Sequence, residues 1–177
     1  IGQGYIQTTP IQLCLMTAQI ANGGYKIYPK IVLNQNDEDI EKDKFEPLVQ
    51  NSKNIRMVQE AMFSSTNEVR GTSYKSRINN PKYQFAGKTG TAQVKRITKQ
   101  DRELDLKTFE IPYEERDHAL YVAFGPYRNP RYAVSILIEH GGSGSSVAAP
   151  IAKKLFKKII DRHQVRKDFN SKRYLDI

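Results

Sequence analysis

Phe85-Ala86-Gly87-Lys88-Thr89-Gly90-Thr91-Ala92-Gln93-Val94 is a short extended-favouring run with a single cation near its middle. Phenylalanine, threonine and valine fit a pleated strand, and the glycines leave its surface bare. Lys88 offers a positive charge and donors only, Thr89 a hydroxyl, and Gly90 a backbone without Cβ, so a carboxylate-bearing ligand could lie close against the chain. A strand that ends in a glycine turn is the bland alternative. With 17 Lys, 9 Thr and 11 Gly in the sequence, a Lys-Thr-Gly triplet is expected by chance about 0.05 times per chain. The surroundings decide between the two.

Asn79-Asn80-Pro81 is a turn that delivers the chain to this strand. Downstream, Lys95 to Asp117 is dominated by charge and interrupted by Pro112, which predicts a long excursion with a helical turn, of the kind placed beside binding sites. Two strands follow, Ala119–Gly125 and Tyr132–Ile138, joined by the hairpin connection Pro126 to Arg131. The near-continuous apolar run of the second predicts a strand covered on both faces. After the Gly/Ser turn Gly141 to Ser146, Pro150 opens a helix with the stripe Ile151, Ala152, Leu155, Phe156, Ile159 and Ile160 opposite a row of lysines. Beyond about His163 the tail is polar and is expected to fray.

At the other end, Gly2-Gln3-Gly4 leads to a threonine cap and Pro10, a good helix start. Ile11, Leu13, Leu15, Met16 and Ile20 leave hardly a polar face, so this helix is expected to be buried. It stops at Asn22-Gly23-Gly24. An extended segment, Tyr25 to Leu33, and an acidic loop, Asn34 to Lys44, precede a second helix over about Asn54 to Ser64, which Gly71-Thr72-Ser73 separates from the strand region. The pattern predicts an α+β fold: strands near 86–94, 119–125 and 132–139 form an antiparallel sheet, and the 150–161 helix packs on one face.

A length of 177 residues predicts one domain. Hydrophobic content of 38% and charged content of 27% are those of a folded protein. No apolar stretch is long enough to span a bilayer, and no secretory signal is recognisable. The first residue is Ile1, inside a motif, which leads us to expect a piece of a longer protein. The single cysteine, Cys14, excludes an internal disulfide, and His118, His140 and His163 lie far apart, so no metal and no cofactor are expected. The formal net charge is +9. Nine basic residues between Lys153 and Arg173 stand against Asp161 and Asp168, so most of the excess is C-terminal. Such a helix and tail are most simply a solvated face.

Taken in order, these pieces resemble the C-terminal part of the transpeptidase domain of class B penicillin-binding proteins, those of the penicillin-binding protein 2 type in particular. Ile1-Gly-Gln-Gly-Tyr with Thr9-Pro-Ile-Gln-Leu13 is similar to the family's loop and buried helix, and Gly87-Lys-Thr-Gly-Thr-Ala-Gln93 to its third strand. Asp117 to Phe124, Tyr132 to Gly142 and Ala148-Ala-Pro-Ile151 resemble its fourth strand, fifth strand and last helix. The resemblance covers about residues 1–160 of a single domain spanning 1–177, and leaves 164–177 as a basic tail. It implies the penicillin-binding protein and serine β-lactamase-like fold, with two strands of the family's five-stranded sheet absent from this chain. One edge of the 132–139 strand is then expected to be unpaired.

The resemblance also implies a site. Lys88 and Thr89 would recognise the substrate carboxylate, Gly90 would give clearance, and the Thr91 N–H would help to hold a developing oxyanion. His118 matches a family position and is read as structural. The family's nucleophile lies in a Ser-x-x-Lys motif upstream of the Gly-Gln-Gly loop, and no serine here has that spacing. Ser52-Lys53-Asn54 and Ser65-Thr66-Asn67 match the family's Ser-x-Asn motif by composition but fall in the wrong order, and are rejected. No catalytic residue is therefore assigned. The parent reaction would cross-link peptidoglycan stem peptides through a serine acyl-enzyme that β-lactams trap, on the periplasmic side of the bacterial inner membrane. Expected partners are the stem peptide, β-lactams and the remainder of the domain, with no nucleic acid and no membrane span in this chain. Two alternatives stand beside it: a class D β-lactamase-like hydrolase fragment, and a non-enzymatic basic module that binds an anionic surface through Lys153 to Arg173.

Overall fold

Thr9 opens the first element as its cap. Its side chain accepts from the Gln12 N–H while the Gln12 side chain accepts from the Thr9 N–H, closing a capping box around Pro10 at the first helical position. In the computed structural model, which describes residues 6–29, 46–95, 103 and 106–173, with backbone only over 163–173, helix α1 runs Pro10–Ala21. Asn22 ends it, and Gly23 and Gly24 take positive φ of 96° and 89°, where a side chain would be strained. Residues 30–45, with the acidic loop and part of the extended segment, lie outside the described residues. Helix α2 spans Ser52–Asn67, longer at both ends than its apolar stripe predicts, because Asn51 caps it by accepting from the Lys53 N–H.

Strands β1 (Ala86–Ala92), β2 (His118–Gly125) and β3 (Tyr132–Ile138) form one antiparallel sheet in the order β1-β2-β3. Lys88 stands opposite Val122, Thr89 opposite Tyr121 and Thr91 opposite Ala119. Helix α3, Ala149–Arg173, is preceded by a π-helical turn over Gly144–Ala148. The Gly/Ser run expected as a plain turn thus feeds directly into the helix, with the Ser143 hydroxyl accepting from the Ser146 N–H. The reason is steric: a Cβ on Gly144 would stand 2.7 Å from Gly90 O, so the turn can lie directly on the sheet backbone.

Two apolar clusters flank the sheet. On one face, Tyr121, Ala119, Ala123 and Ile136 meet Ala148, Ala152, Phe156 and Ile160, and the Phe156 ring stacks on Phe85 at 4.9 Å. On the other, Ala86 and Phe124 meet Met62 of α2, with Ile20 and Ala21 of α1 beside them.

Three expectations are corrected. Of α1 only Thr17 is fully buried, while Ile11 is 58% and Met16 44% exposed. The helix packs on β3 and β2 and, at its C-terminal end, against α2, which leaves Ile11 and Met16 exposed among the described residues. For the same reason β3 is covered only in part on either face: Ile136 is its one buried residue, Cys14 of α1 reaches Ala133 O at 3.5 Å, and Leu137 further along stays exposed. Finally, the α3 backbone remains helical to Arg173 rather than fraying near His163, since no Gly or Pro interrupts it after Pro150. The expected open edge of β3 is found: among the described residues β3 pairs with β2 alone.

Truncating Phe156 to Ala removes a fully buried ring and is expected to cost about 3–5 kcal/mol in urea unfolding, whereas exposed Lys154→Ala stays within about 0.5 kcal/mol. Asp161 of α3 accepts from the Tyr83 hydroxyl and from Lys82 Nζ at 3.4 Å, and these bonds, Tyr83 first, hold its carboxyl below the ordinary value of 3.8. A depressed folded-state pKa means that the tie contributes stability above the unfolded value and loses it as pH falls through the folded one. An NMR titration of the Asp161 carboxyl is expected to show that low midpoint, and Tyr83→Phe to raise it.

Candidate active site

The exposure of Lys88 and Thr89 follows from how α2 meets the outer edge of β1. Asn67 Nδ2 donates to Phe85 O at 3.0 Å, and Thr66 Oγ1 lies 3.5 Å from Gly87 O. These carbonyls point away from β2. Backbone groups in an antiparallel strand alternate sides with period two, so the N–H and C=O groups of Thr89 and Thr91 also face outward. The helix ends at Asn67, Glu68 caps it, and the chain bends back at Gly71, where a Cβ would meet Ser64 O at 2.5 Å. Among the described residues the cover given by α2 therefore reaches only as far as Gly87, and the outer edge beyond it is the floor of the site.

Side chains alternate as well. Lys88 projects from the face that carries Val122, beside a cleft of about 610 Å³ lined largely by Met16 and Ile20 of α1, Val58 and Met62 of α2, and Val122. Thr89 projects from the opposite face, that of Tyr121. The Lys88 side chain curls round the edge: its Nζ donates to Thr89 O at 2.8 Å and to Thr89 Oγ1 at 3.3 Å. An ammonium has three protons, so one donor remains for a ligand. Lysine and threonine are thus brought to one point although they leave opposite faces. Gly90 has a packing role too, since a Cβ there would come within 3.2 Å of Leu120 Cβ, in addition to the seat it gives Gly144.

Behind the strand lies a buried hydroxyl network whose parts the sequence reading did not connect. Tyr121 Oη is 2.9 Å from Thr66 Oγ1 and 3.0 Å from Ser73 Oγ, and all three residues are buried. Burial pushes the Tyr121 phenol pKa up, opposed by these bonds. Gly87 makes room for the ring, since a Cβ there would lie 2.6 Å from Tyr121 Cζ. A second chain of hydroxyls reaches the site itself: Ser65 Oγ to Thr72 Oγ1 at 3.2 Å, and Thr72 Oγ1 to Thr89 Oγ1 at 3.5 Å. Sequence marked Thr72 only as a helix break, for its tie to Thr89 bridges 17 positions. Ser52 sits at the exposed start of α2. His118 spends its Nδ1 lone pair on the His140 N–H at 2.9 Å, and His140 Nδ1 donates to Arg116 O at 3.1 Å, a structural use of both rings. His140 holds a positive φ of 54° at this corner. Among the described residues no cluster of metal-ligating side chains occurs.

With this geometry in hand, the chain was compared with known proteins. Residues 1–157 match the model of the penicillin binding protein transpeptidase domain. The chain belongs to this family. Curated relatives include the peptidoglycan D,D-transpeptidase MrdA of Salmonella typhimurium, 34% identical over 170 residues, covering 91% of this chain and 26% of the relative. MrdA of Haemophilus influenzae is 32% identical over 161 residues, covering 88% and 24%. Among solved structures, PBP2 of Pseudomonas aeruginosa in complex with WCK 5153 superposes with a TM-score of 0.70 at 36% identity, covering 89% of this chain and 32% of that one. PBP2 of Helicobacter pylori in complex with MreC gives 0.70 at 31%, covering 91% and 26%. The chain spans about a quarter of the length of the curated relatives it matches. It is similar to the C-terminal part of a PBP2 transpeptidase domain, with the antiparallel sheet and packed helices of that fold.

In this penicillin-binding protein chain, Tyr121→Phe leaves the Thr66 and Ser73 hydroxyls one partner short in a buried place. Urea unfolding is expected to register a loss of about 1–3 kcal/mol.

Proposed function

We propose that this chain supplies the carboxylate-binding wall of a peptidoglycan D,D-transpeptidase and lacks the nucleophile. The observation that carries the reading is the convergence of Lys88 and Thr89 on the uncovered edge of β1, with one ammonium donor to spare. In the reaction envisaged, a serine Oγ attacks the penultimate D-Ala carbonyl of a stem peptide. The peptide C–N bond breaks, the terminal D-Ala leaves with a proton, and an ester remains on the serine. The amine of a neighbouring strand then attacks this ester, forming the cross-link and returning the proton to the serine. Lys88 and Thr89 hold the terminal carboxylate of the donor peptide, or that of a penicillin. The outward-facing Thr91 N–H stabilises the oxyanion in each tetrahedral step, and Gly90 keeps the backbone close to the scissile bond. The cleft beside Lys88 takes up the apolar segment of the remaining domain that bears the serine. Because such an enzyme acts on peptidoglycan, this reading puts its work on the periplasmic side of the inner membrane.

On this reading the chain alone forms no penicilloyl adduct, because binding a carboxylate without an activated serine does not accelerate acylation. The exposed ion pair at Lys88 is worth roughly 0–1 kcal/mol by itself. Intact-mass analysis after incubation with a fluorescent penicillin is the test. The expected result is an unmodified chain beside a labelled complete domain, whose acylation falls about 10²–10³-fold on Lys88→Ala. A stoichiometric adduct on any of the ten serines of this chain would sink the assignment. Steady β-lactam turnover by the complete domain would instead favour the hydrolase.

A further inference from the structure

A second concavity lies at the other end of the sheet, by the connection between β2 and β3 rather than at the outer edge of β1. It holds about 310 Å³ and is walled by Pro81 and Pro126, backed by Tyr132 and Ile160, and ringed by the cations Lys82, Arg128 and Arg131. The two turns that carry these cations are pinned. Arg128 and Arg131 ride on a connection whose Tyr127 N–H donates to Gln84 O at 2.8 Å and whose Arg131 N–H donates to Gly125 O at 3.1 Å, while the Tyr127 ring packs on Phe63 at 4.2 Å. Lys82 sits in a turn closed by the Tyr83 N–H on Asn80 O at 2.9 Å, and its ammonium is tied to Asp161. The Asp161 carboxylate is already engaged by Tyr83 and Lys82, and among the described residues no ion pair is found for Arg128. Exposed Lys154, Lys157, Lys158 and Arg162 of α3 add to the same positive field.

We propose that this pocket is a binding site for an acidic peptide segment, taking a carboxylate side chain between Arg128, Arg131 and Lys82. Arg128, held on a pinned turn beside two further cations, gains from a bound anion, and its guanidinium fork matches a carboxylate in shape. The apolar back wall suits the methylene stem of a glutamate. A recess of about 310 Å³ backed by Tyr132 and Ile160 can receive a side chain, whereas a nucleic-acid duplex or a bilayer surface would meet its rim. The inference is independent of the transpeptidase reading and lies away from Lys88.

The test is fluorescence anisotropy of a labelled hexaglutamate peptide titrated with the 177-residue chain at low and at physiological salt, with single-stranded DNA and phosphatidylglycerol vesicles as competitors. Saturable binding that weakens as salt rises is expected. Arg128→Ala is expected to raise Kd at least tenfold, and Lys158→Ala on α3 less than twofold, with both variants keeping the parental thermal melt, since both side chains are exposed. Absence of peptide binding overturns the proposal. So does an equal loss from Lys158→Ala, or tighter binding of DNA or vesicles than of peptide, because each assigns the charge to a diffuse face rather than to a pocket.

Discussion

Everything that makes the site available depends on how far α2 covers the outer edge of β1. An edge strand offers a row of unpaired backbone groups, and a folded domain must either cover them or use them. Here the Asn67 and Thr66 side chains occupy Phe85 O and Gly87 O, and the helix then turns away. Moving the end of α2 one turn later would bury Thr89 under helix. Moving it one turn earlier would leave the Tyr121 hydroxyl without Thr66. The position of the helix C-terminus, set by the bend at Gly71, thus decides which backbone groups belong to structure and which to chemistry.

Much of this was legible in the residues. Thr9-Pro10, the Asn79-Asn80-Pro81 turn, the apolar runs of 119–125 and 132–138 and the stripe of Ile151 to Ile160 each encode their element locally, so β1, β2, β3 and the start of α3 fall where the pattern puts them. The Lys-Thr-Gly triplet could be read because its three residue types share one task within three positions. Hydroxyl partnerships were not legible. Thr66 meets Tyr121 across 55 positions and Ser73 meets it across 48, and a threonine or serine carries no mark in sequence of the partner it will find. Nor could burial of α1 be judged from its own composition. An apolar helix states a need for cover, not the source of it, and among the described residues α1 receives that cover only in part.

The charge distribution also gains meaning once folded. As a string, Lys153 to Arg173 is a basic stretch; as a structure, the same helix lends Ile160 to a pocket at a hairpin connection that brings two arginines from a different part of the chain. The apolar stripe of the same helix, with Phe156 stacked on Phe85, fixes the sheet beneath the Lys88 strand. One helix thus holds the wall of the site in place while turning its cations elsewhere.

The contact between Gly144 and Gly90 has a consequence for how this sequence can drift. Two backbones touch there with no side chain between them, so an added methyl on Gly144 meets Gly90 O and one on Gly90 crowds Leu120. Most packing errors can be repaired by shrinking the opposite residue, but a methyl on Gly144 would meet the backbone oxygens of Leu120 and Gly90, which no substitution removes. A single step from Gly144 is therefore blocked and no partner change opens a second path, whereas a methyl on Gly90 needs only that the Leu120 side chain give way. A position outside the site, Gly144, is thereby held as fixed as a nucleophile would be, and the route by which β1 and the turn before α3 could slide apart over generations is closed.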